Sequence, residues 1–380
     1  QGETTLAAST ALAAAVAFSR ALPYLYRKKV EEKLMKMLED DIIERVGDRP
    51  VEWCHPLVVV PKPDGDIRIT TDFTKLNEQV KRTVHNARTP ADAVFDRKPG
   101  AKFFTVLDAR NGYWQLELAP EYRDLTCFIT PFGRFRYKRA PMGFISTGDS
   151  YNLRGDIALE GLQNVTKIVD DIYVEDETFE KHVARVRSVL ERCRKYGITL
   201  NRKKFFFAQD KVKFAGYVVS SEGVEANPDK IRAITEFPTP TNITELRSFM
   251  GMVNALSNFS PDISRIATPL RELLKTKNAF VWLDPHTQAF QEIKQLLVKT
   301  PILATFDSKL PTRLETDASR LHGLGFNLLQ QHEDGWKLVQ CGSRFLSDPE
   351  TRYSMVELES IAIKYAIQVS FVSGRPASFH

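Results

Sequence analysis

The spacing of apolar and polar residues predicts a chain of mixed helices and strands. Helical elements are inferred from apolar residues at intervals of three and four, and strands from β-rich runs bounded by turn residues. The first predicted elements are a helix over 27–44 stopped by Gly47, a hairpin over 57–73 around Asp64-Gly65, strands over 103–107 and 113–118, and a hairpin turning at Phe132-Gly133. They are followed by a strand pair around 168–174, a helix over 179–196 ended by Gly197, and one strand over 213–219. The last predicted elements are a helical section over 227–299, strands from Thr312 with a turn at Asp334-Gly335, and a helix over 356–369.

The order of these elements predicts an α+β protein of several packed units. The chain has 380 residues, which is too long for one ordinary domain. A mixed section over 24–225 is followed by a helical section over 226–300 and by a second α/β section over 301–380. Residues 1–23 form an Ala-rich extension. Its apolar run is short for a membrane span and contains Arg20, so a surface helix is expected and no membrane partner.

Composition narrows the class of protein without fixing its partner. Apolar residues make up 43% of the chain and charged residues 27%, which excludes wholesale disorder and a coiled coil. The net charge of +5 permits a nucleic-acid partner but does not require one. The four cysteines are far apart in the sequence and contain no CxxC pair. We therefore expect separately placed, reduced thiols in an intracellular protein.

Three carboxylates are the strongest candidates for chemistry. Asp108 ends an apolar strand, and Asp170-Asp171 stand between two strand-like runs. Adjacent residues in a straight strand face opposite ways, so two neighbouring acids can approach one point only in a tight turn. Such a cluster repels itself unless hard cations neutralise it, and Mg²⁺ prefers oxygen ligands. Ordinary turn acids are the alternative, but unpaired carboxylates inside apolar runs are costly.

Taken together, the motifs resemble the reverse transcriptases of gypsy-type LTR retrotransposons, followed by the beginning of their RNase H-like domain. Each motif is weak alone, and their joint order along the chain is specific. The matching segments are VVVPKPDGDIRITTDFTKLN (58–77), FFTVLDARNGYWQLEL (103–118), ITPFGRFRYKRAPMGF (129–144), VDDI (169–172), LNRKKFFFAQDKVKFAGYVVSSEGV (200–224), SFMGMVNALSNFSPDIS (248–264), TDAS (316–319) and RYSMVELESIAI (352–363).

The resemblance implies a right-hand polymerase followed by a truncated RNase H-like α/β domain. Fingers and palm would occupy 24–225, the thumb and connection 226–300, and the partial RNase H-like domain 301–380. The implied activity is RNA-directed DNA polymerisation by a two-metal mechanism, with Mg²⁺ as cofactor and Mn²⁺ as an alternative. Implied partners are an RNA template, a DNA or RNA primer, dNTPs, and the protease, integrase and nucleocapsid segments of a polyprotein. The implied location is the cytoplasm, including virus-like particles, with nuclear access for the product.

The resemblance also assigns roles by position. These are the palm metal ligands Asp108, Asp170 and Asp171, the dNTP-binding residues Lys62, Arg68, Tyr113 and Met142, and the primer grip Phe214, Ala215, Gly216 and Tyr217. Tyr113 would be the gate that rejects a ribose 2′-hydroxyl. Without the resemblance, the basic pair would be a solvated hairpin, the tyrosine a packing residue and the grip a buried strand with a Gly bulge.

Departures from the family pattern keep two other functions open. Ile168 replaces the aromatic residue that starts the YxDD turn, Met142 occupies a position that often carries Gln or Phe, and 144–152 lacks the usual proline. A decayed or domesticated element could bind nucleic acid without polymerising. A structural subunit supporting an active partner would share every motif.

The closing segment matches only part of an RNase H site. Asp317 and Glu359 match two of its carboxylates, and Glu357 is a lesser candidate because it faces another side of the helix. Further acids would come from later strands, and the sequence given ends at His380. We therefore expect no RNase H activity from this chain, because two acids seldom hold two hard cations.

This expectation is tested with a labelled RNA–DNA hybrid in Mn²⁺. Cleavage should stay at background, because the strand and helix acids supply too few oxygen ligands for two metal ions. The most plausible substitute ligand is Glu315, which shares a strand face with Asp317. Cleavage that is robust in the unaltered chain and lost in Asp317→Asn would contradict the prediction.

Overall fold

The computed structural model describes residues 15–16, 24–62, 65–82, 84–275 and 279–370. The helices are α1 (Arg27–Glu39), α2 (Thr74–Asn77), α3 (Pro90–Phe95), α4 (Thr147–Leu159), α5 (Phe179–Tyr196), α6 (Pro228–Thr235), α7 (Ile243–Asn254), α8 (Asp262–Ile266), α9 (Thr268–Glu272), α10 (Asp284–Val298) and α11 (Met355–Val369). The strands are β1 (Ala15–Val16), β2 (Ile43–Arg45), β3 (Trp53–Pro61), β4 (Ile67–Thr71), β5 (Phe103–Asp108), β6 (Phe128–Thr130), β7 (Gly133–Tyr137), β8 (Val165–Ile168), β9 (Asp171–Asp176), β10 (Phe206–Gln209), β11 (Lys211–Phe214), β12 (Tyr217–Ser220), β13 (Val224–Ala226), β14 (Thr312–Ser319), β15 (Gly323–His332) and β16 (Gly335–Arg344).

The chain forms two compact units that do not follow the sequence linearly. The first unit comprises 1–88, 107–172 and 184–205, and the second comprises 89–106, 173–183 and 206–380. The divisions proposed at residues 225 and 300 are functional and stay a prediction. Within the described part of the chain, no helix combines the length and apolarity that a bilayer crossing demands.

The first unit is built on a sheet in the order β1-β3-β6-β7-β2, with β4 paired to β3. Alternating residues of these strands bury an aromatic core that includes Trp53, Phe128 and Phe135. The helix α1 closes this core with Val30 and Leu34, which are one turn apart and fully buried. The predicted hairpin over 57–73 is confirmed, although Asp64 at its turn lies outside the described residues.

Two predicted boundaries in this unit are wrong. The first helix stops at Glu39, because Asp41 has a φ of 55° that reverses the chain, and Ile43–Arg45 then pairs with β7. The predicted strand over 113–118 begins instead as a 3₁₀ turn at Gly112–Gln115. This 3₁₀ turn begins directly after Asn111, whose φ of 51° lies in the left-handed region that Asn tolerates.

The N-terminal helix prediction fails where it can be checked. Ala15–Val16 forms a short parallel strand against Trp53 and Cys54. The rest of the Ala-rich segment lies outside the described residues. Main-chain pairing with β3 has therefore overridden the helical propensity of Ala15.

Two of the four cysteines are adjacent, contrary to the expectation of separately placed thiols. Cys54 and Cys127 are buried in one small cluster with Val46. A hydrogen bond between the two thiols lowers the pKa of Cys54 to about 7 and raises that of Cys127. The pairing follows from the neighbouring parallel strands β3 and β6, a long-range contact that cysteine spacing does not encode.

A four-stranded sheet in the order β10-β5-β9-β8 carries the candidate carboxylates, and β5 and β9 have residues in both units. The helix α5 ends as predicted at Gly197, which has a φ of 72°. The main-chain N–H of Ile198 donates to the Cys193 carbonyl, and that of Gly197 donates to Arg194. This Schellman motif satisfies the last carbonyls of the helix and turns the chain back toward β5.

The second unit contains two further sheets, β11-β12-β13 and β14-β15-β16. The predicted single strand over 213–219 is wrong, because it is split by a two-residue turn between β11 and β12. The predicted hairpin at Asp334-Gly335 is confirmed. The helix α11 packs on β14 and β15 through Leu358, which shares a core with Ala318.

The helical section over 227–299 is confirmed, because helices α6 to α10 follow one another in it. Asn242 caps α7 by accepting hydrogen bonds from the N–H groups of Thr244 and Glu245. Phe249 and Phe290 then pack α7 against α10, with ring centroids 4.6 Å apart. The sequence signals for this section, caps and helical spacing, are local and were sufficient.

An ion pair lies in the core of the second unit. Arg97 Nε donates to Glu175 Oε2 over 2.7 Å, and both side chains are less than a tenth exposed. The Tyr173 hydroxyl donates to the same oxygen over 2.7 Å. The Arg97 guanidinium also faces the Phe104 ring at 5.2 Å. The network satisfies the carboxylate, whereas Arg97 Nη1 has no hydrogen-bond partner within the described ranges.

Breaking this pair should destabilise the protein strongly. We expect Glu175→Ala to lower the free energy of unfolding by about 3–5 kcal/mol, because it leaves a buried guanidinium unpaired. Lys181→Ala removes the exposed pair with Glu177 and should cost at most about 1 kcal/mol. Urea titrations followed by near-UV circular dichroism compare the two variants, and equal losses would contradict the prediction.

Candidate active site

The end of β5 lies beside the turn between β8 and β9. The Ala109 N–H, directly after Asp108, donates to the Asp170 carbonyl over 2.7 Å. Asp171 is the first residue of β9, and Asp170 is the second residue of the turn. The structure therefore brings the three acids named from the sequence into one neighbourhood within the first unit.

The turn that carries the acids is strained. It consists of Val169 and Asp170, and Val169 has a φ of 50°. A β-branched residue rarely adopts this left-handed conformation, whose cost is about 1–3 kcal/mol. Because a straight strand would send Asp170 and Asp171 to opposite faces, the tight turn is what allows both to approach Asp108.

The acids act on one another electrostatically. Burial raises the pKa of Asp170 and of Asp171, and the negative charge of Asp108 raises both further. Lys204 opposes this shift by lowering the pKa of each. The cluster thus holds more negative charge than its own surroundings neutralise, which is the property expected of a cation site.

Lys204 is the nearest counter-ion that the sequence analysis did not assign. Its Nζ donates to Asp108 Oδ2 over 2.8 Å, and Asn201 Nδ2 lies 3.4 Å from Oδ1. Lys204 and Asn201 lie near Asp108 because the segment after α5 pairs with the end of β5. There the Asn201 N–H donates to the Asp108 carbonyl over 2.8 Å. No local sequence signal marks this contact, because Lys204 and Asp108 are 96 residues apart in the chain.

Tyr151 of α4 is the second residue that sequence reasoning missed. Its hydroxyl lies beside the Asp170 carboxylate, and its ring meets the edge of Tyr113 with centroids 5.4 Å apart. A Cβ at Gly112 would lie 2.0 Å from Asp170 Oδ1 and 2.7 Å from the Tyr151 hydroxyl oxygen. Only glycine fits at this position, because any side chain would displace the carboxylate.

The donor set fits a hard divalent cation, although no complete site is preformed. Asp170 Oδ1 is buried and has no hydrogen-bond partner in the described part of the chain. A buried carboxylate oxygen left without a donor is costly, and a cation would satisfy it. Over the same residues, no three His, Cys, Asp or Glu side chains are arranged as a finished metal site. Asp108 is engaged with Lys204 instead.

The residues matched to triphosphate binding lie on the β3–β4 hairpin and the loop beside it. Lys62 follows β3 and faces Asp66 at 3.4 Å, while Arg68 is exposed on β4. The Thr70 hydroxyl of β4 lies 3.5 Å from the Met142 carbonyl. The predicted dNTP residues Lys62, Arg68 and Met142 therefore cluster around β4. Tyr113 lies next to Tyr151 of α4.

The four residues matched to the primer grip divide into core and turn. Phe214 and Tyr217 are buried, and Phe214 stacks on Tyr173 at 4.8 Å. Ala215 and Gly216 form the turn with φ of 51° and 84°, a type I′ pattern. The turn residues of this hairpin are therefore more accessible than its two aromatic side chains.

The RNase H candidates are exposed and belong to packed elements. Asp317 lies in β14, two residues before the strand ends, and Glu359 lies in the second turn of α11. Glu357 is used as a helix cap, because its carboxylate accepts from the Ser354 N–H over 2.7 Å. That contact explains why Glu357 is unsuited to hold a metal ion. Glu315 is paired with Arg313 at 3.1 Å.

Comparison with known proteins gives two family matches. Residues 60–219 match the family model described as reverse transcriptase (RNA-dependent DNA polymerase). Residues 282–371 match the model of the RNase H-like domain found in reverse transcriptase. The carboxylates at 108, 170 and 171 fall within the first match, and those at 317 and 359 within the second.

Curated relatives and solved structures agree with these matches. The chain is 32% identical over 347 residues to the Transposon Tf2-3 polyprotein of Schizosaccharomyces pombe, covering 90% of this chain and 26% of the relative. It is 30% identical over 372 residues to the retrovirus-related Pol polyprotein from transposon opus of Drosophila melanogaster, covering 92% of this chain and 36% of the relative. The chain therefore spans about a quarter to a third of these polyproteins.

The fold matches the foamy viral protease-reverse transcriptase at 20% identity. One structure, a complex with double-stranded DNA, gives a TM-score of 0.87 and covers 100% of this chain and 66% of that one. Another, a complex with an RNA/DNA hybrid, gives 0.84 and covers 98% and 50%. The right-hand polymerase fold inferred from the motifs is thereby confirmed. The chain belongs to the reverse transcriptases of gypsy-type LTR retrotransposons, with the first part of the RNase H-like domain that follows the polymerase.

Proposed function

We propose that this chain is an active RNA-directed DNA polymerase that extends a primer 3′-hydroxyl with dNTPs on an RNA template. The observation that supports this most directly is the gathering of Asp108, Asp170 and Asp171 at one strand end and one turn, where burial and the charge of Asp108 raise the pKa of the other two. A decayed element would have no reason to retain this costly cluster. The foamy viral relatives of the same fold were solved with nucleic acid bound.

The reaction is in-line attack of the primer 3′-oxygen on the α-phosphate, with pyrophosphate leaving. Asp108, Asp170 and Asp171 would hold Mg²⁺, or Mn²⁺ in its place. The bound cations supply charge neutralisation for the phosphates and for the attacking oxygen. For this to happen Lys204 must release Asp108, and its side chain is 60% exposed and free to move. It is then a cation close to the triphosphate.

The remaining assigned residues position the substrates. Lys62 and Arg68 offer positive charge on the β3–β4 hairpin, which suits a triphosphate. Met142 lies against β4 and would line the nucleotide pocket. Tyr113 packs on Tyr151 beside Asp170, and its ring would refuse a sugar 2′-hydroxyl. The turn of Ala215 and Gly216 would hold the primer end.

Cellular context is part of the proposal. The relatives are retrotransposon polyproteins, so protease, integrase and nucleocapsid segments are the partners to expect. Work on RNA templates would take place in the cytoplasm, including virus-like particles, before the DNA product reaches the nucleus. Primer extension separates the alternatives, because a structural subunit or a decayed element would bind template–primer without extending it.

Asp170→Asn should lower primer extension on poly(rA) with dTTP by at least about 100-fold, because the cations lose a charged ligand. Template–primer affinity should change little, since phosphate contacts supply most of it. Filter binding in parallel checks this separation. Asp48→Asn removes an exposed acid and serves as the control. Extension near the unaltered rate in Asp170→Asn would refute the assignment.

Tyr113→Ala should raise ribonucleotide incorporation relative to deoxynucleotide incorporation, because it removes the ring that meets the 2′-hydroxyl. Tyr113→Phe keeps the ring and its edge contact with Tyr151, so discrimination should be retained in that variant. Single-turnover incorporation of dTTP and UTP gives the ratio. If Ala and Phe variants discriminate equally well, Tyr113 is only a packing residue.

A further inference from the structure

A buried lysine lies directly before the metal-binding turn. Lys167 is the third residue of β8, and its side chain is only 7% exposed. An ammonium taken out of water costs several kcal/mol unless polar groups replace its hydration. The replacements are Asn152 Oδ1 at 3.1 Å, the Val169 carbonyl at 3.4 Å and the Asp156 carboxylate at 3.5 Å. Lys167 therefore links α4 to the strained residue of the turn.

The helix α4 is shaped to admit this lysine. A Cβ at Gly155 would lie 2.4 Å from Lys167 Cε and 3.0 Å from its Nζ. A glycine inside a helix costs about 1 kcal/mol of stability relative to alanine. The space that Lys167 needs explains why glycine occupies this position. The space left by Gly155 is filled by the lysine stem, which lays the ammonium next to Tyr151.

Tyr151 connects this lysine to the catalytic carboxylate. Lys167 Nζ lies 5.5 Å from the centroid of the Tyr151 ring, within the range of a cation–π interaction. The hydroxyl of the same ring lies beside the Asp170 carboxylate, since both approach the position that a Cβ at Gly112 would take. The Gly112 backbone and the Tyr151 hydroxyl are thus both close neighbours of the Asp170 carboxylate.

We propose that Lys167 fixes the ring of Tyr151, and that Tyr151 in turn positions the Asp170 carboxylate to receive the divalent cation. The inference rests on the proposed polymerase function, and it makes Lys167 and Tyr151 positioning residues and not ligands. It differs from the role of Lys204, which neutralises Asp108 from the exposed side. Lys167 is held by three polar groups and stays in place when the cation arrives.

This arrangement predicts a specific coupling. Lys167 acts on Asp170 through the ring of Tyr151, so its contribution should vanish once the tyrosine hydroxyl is gone. A lysine acting only as a distant charge would contribute the same amount whether residue 151 carries a hydroxyl or not. A double-mutant cycle separates the two, because non-additive effects identify residues that act as one unit.

The experiment compares Tyr151→Phe, Lys167→Met and the double variant with the unaltered chain. Mn²⁺ binding is followed by loss of the free-ion EPR signal, and the Mg²⁺ concentration for half-maximal primer extension is measured at saturating dTTP. Lys195→Met removes an exposed lysine at the end of α5 and is the matched control. Far-UV circular dichroism checks folding, and Tyr151→Phe, which keeps the buried ring, is the conservative variant.

Each single variant should weaken Mn²⁺ binding and raise the Mg²⁺ requirement by about 10-fold, the usual effect of removing a group that orients a metal ligand. The double variant should match Tyr151→Phe. Lys195→Met should behave like the unaltered chain. Mn²⁺ binding without extension by the unaltered chain would refute the polymerase activity alone.

Three results would overturn the positioning inference itself. Single variants that bind Mn²⁺ within twofold of the unaltered chain show that the tyrosine and lysine do not position the carboxylate. A double variant whose loss equals the product of the single losses shows that Lys167 acts independently of Tyr151. An unaltered chain that binds no Mn²⁺ removes the cation on which the inference depends.

Discussion

The mutual repulsion of three carboxylates is the constraint on which the rest of this site depends. Burial raises the pKa of Asp170 and of Asp171, and the negative charge of Asp108 raises both further. Two lysines reduce the cost of keeping the acids ionised, from different sides. Lys204 contacts Asp108 from the exposed side, and Lys167 lies buried behind the turn. The fold can therefore hold the acids together before any cation binds.

Backbone conformation delivers the acids to one place at a further cost. The left-handed conformation of Val169 costs about 1–3 kcal/mol of conformational free energy, and it brings Asp170 and Asp171 toward Asp108. Gly112 has no side chain, and this allows the Asp170 carboxylate to lie against the backbone. Buried packing elsewhere offsets these costs, as in the aromatic core around Trp53. The residues that look unfavourable locally are thus the ones that shape the site.

The sequence predicted what is encoded locally and missed what depends on distant pairing. Helix α5 and its stop at Gly197 follow from apolar spacing and a left-handed glycine, and both were predicted. The 3₁₀ turn after Asn111 was read as a strand, because alternating Tyr113 to Leu118 has the period of a strand. The split between β11 and β12 was missed because Ala215, unlike Gly216, gives no sign of a left-handed conformation.

The same distinction explains the candidate site. The three acids could be named because each follows a strand-like run that carries its own signal. The partners of these acids could not be named, since Lys204 meets Asp108 across 96 residues and Tyr151 meets Asp170 across an intervening strand.

The two lysines near these acids differ in freedom of movement. An exposed lysine can leave Asp108 when a cation arrives, whereas the buried Lys167 cannot leave its three polar partners. The site thus combines one replaceable positive charge with one fixed positive charge, and only the replaceable one could be displaced by a bound cation.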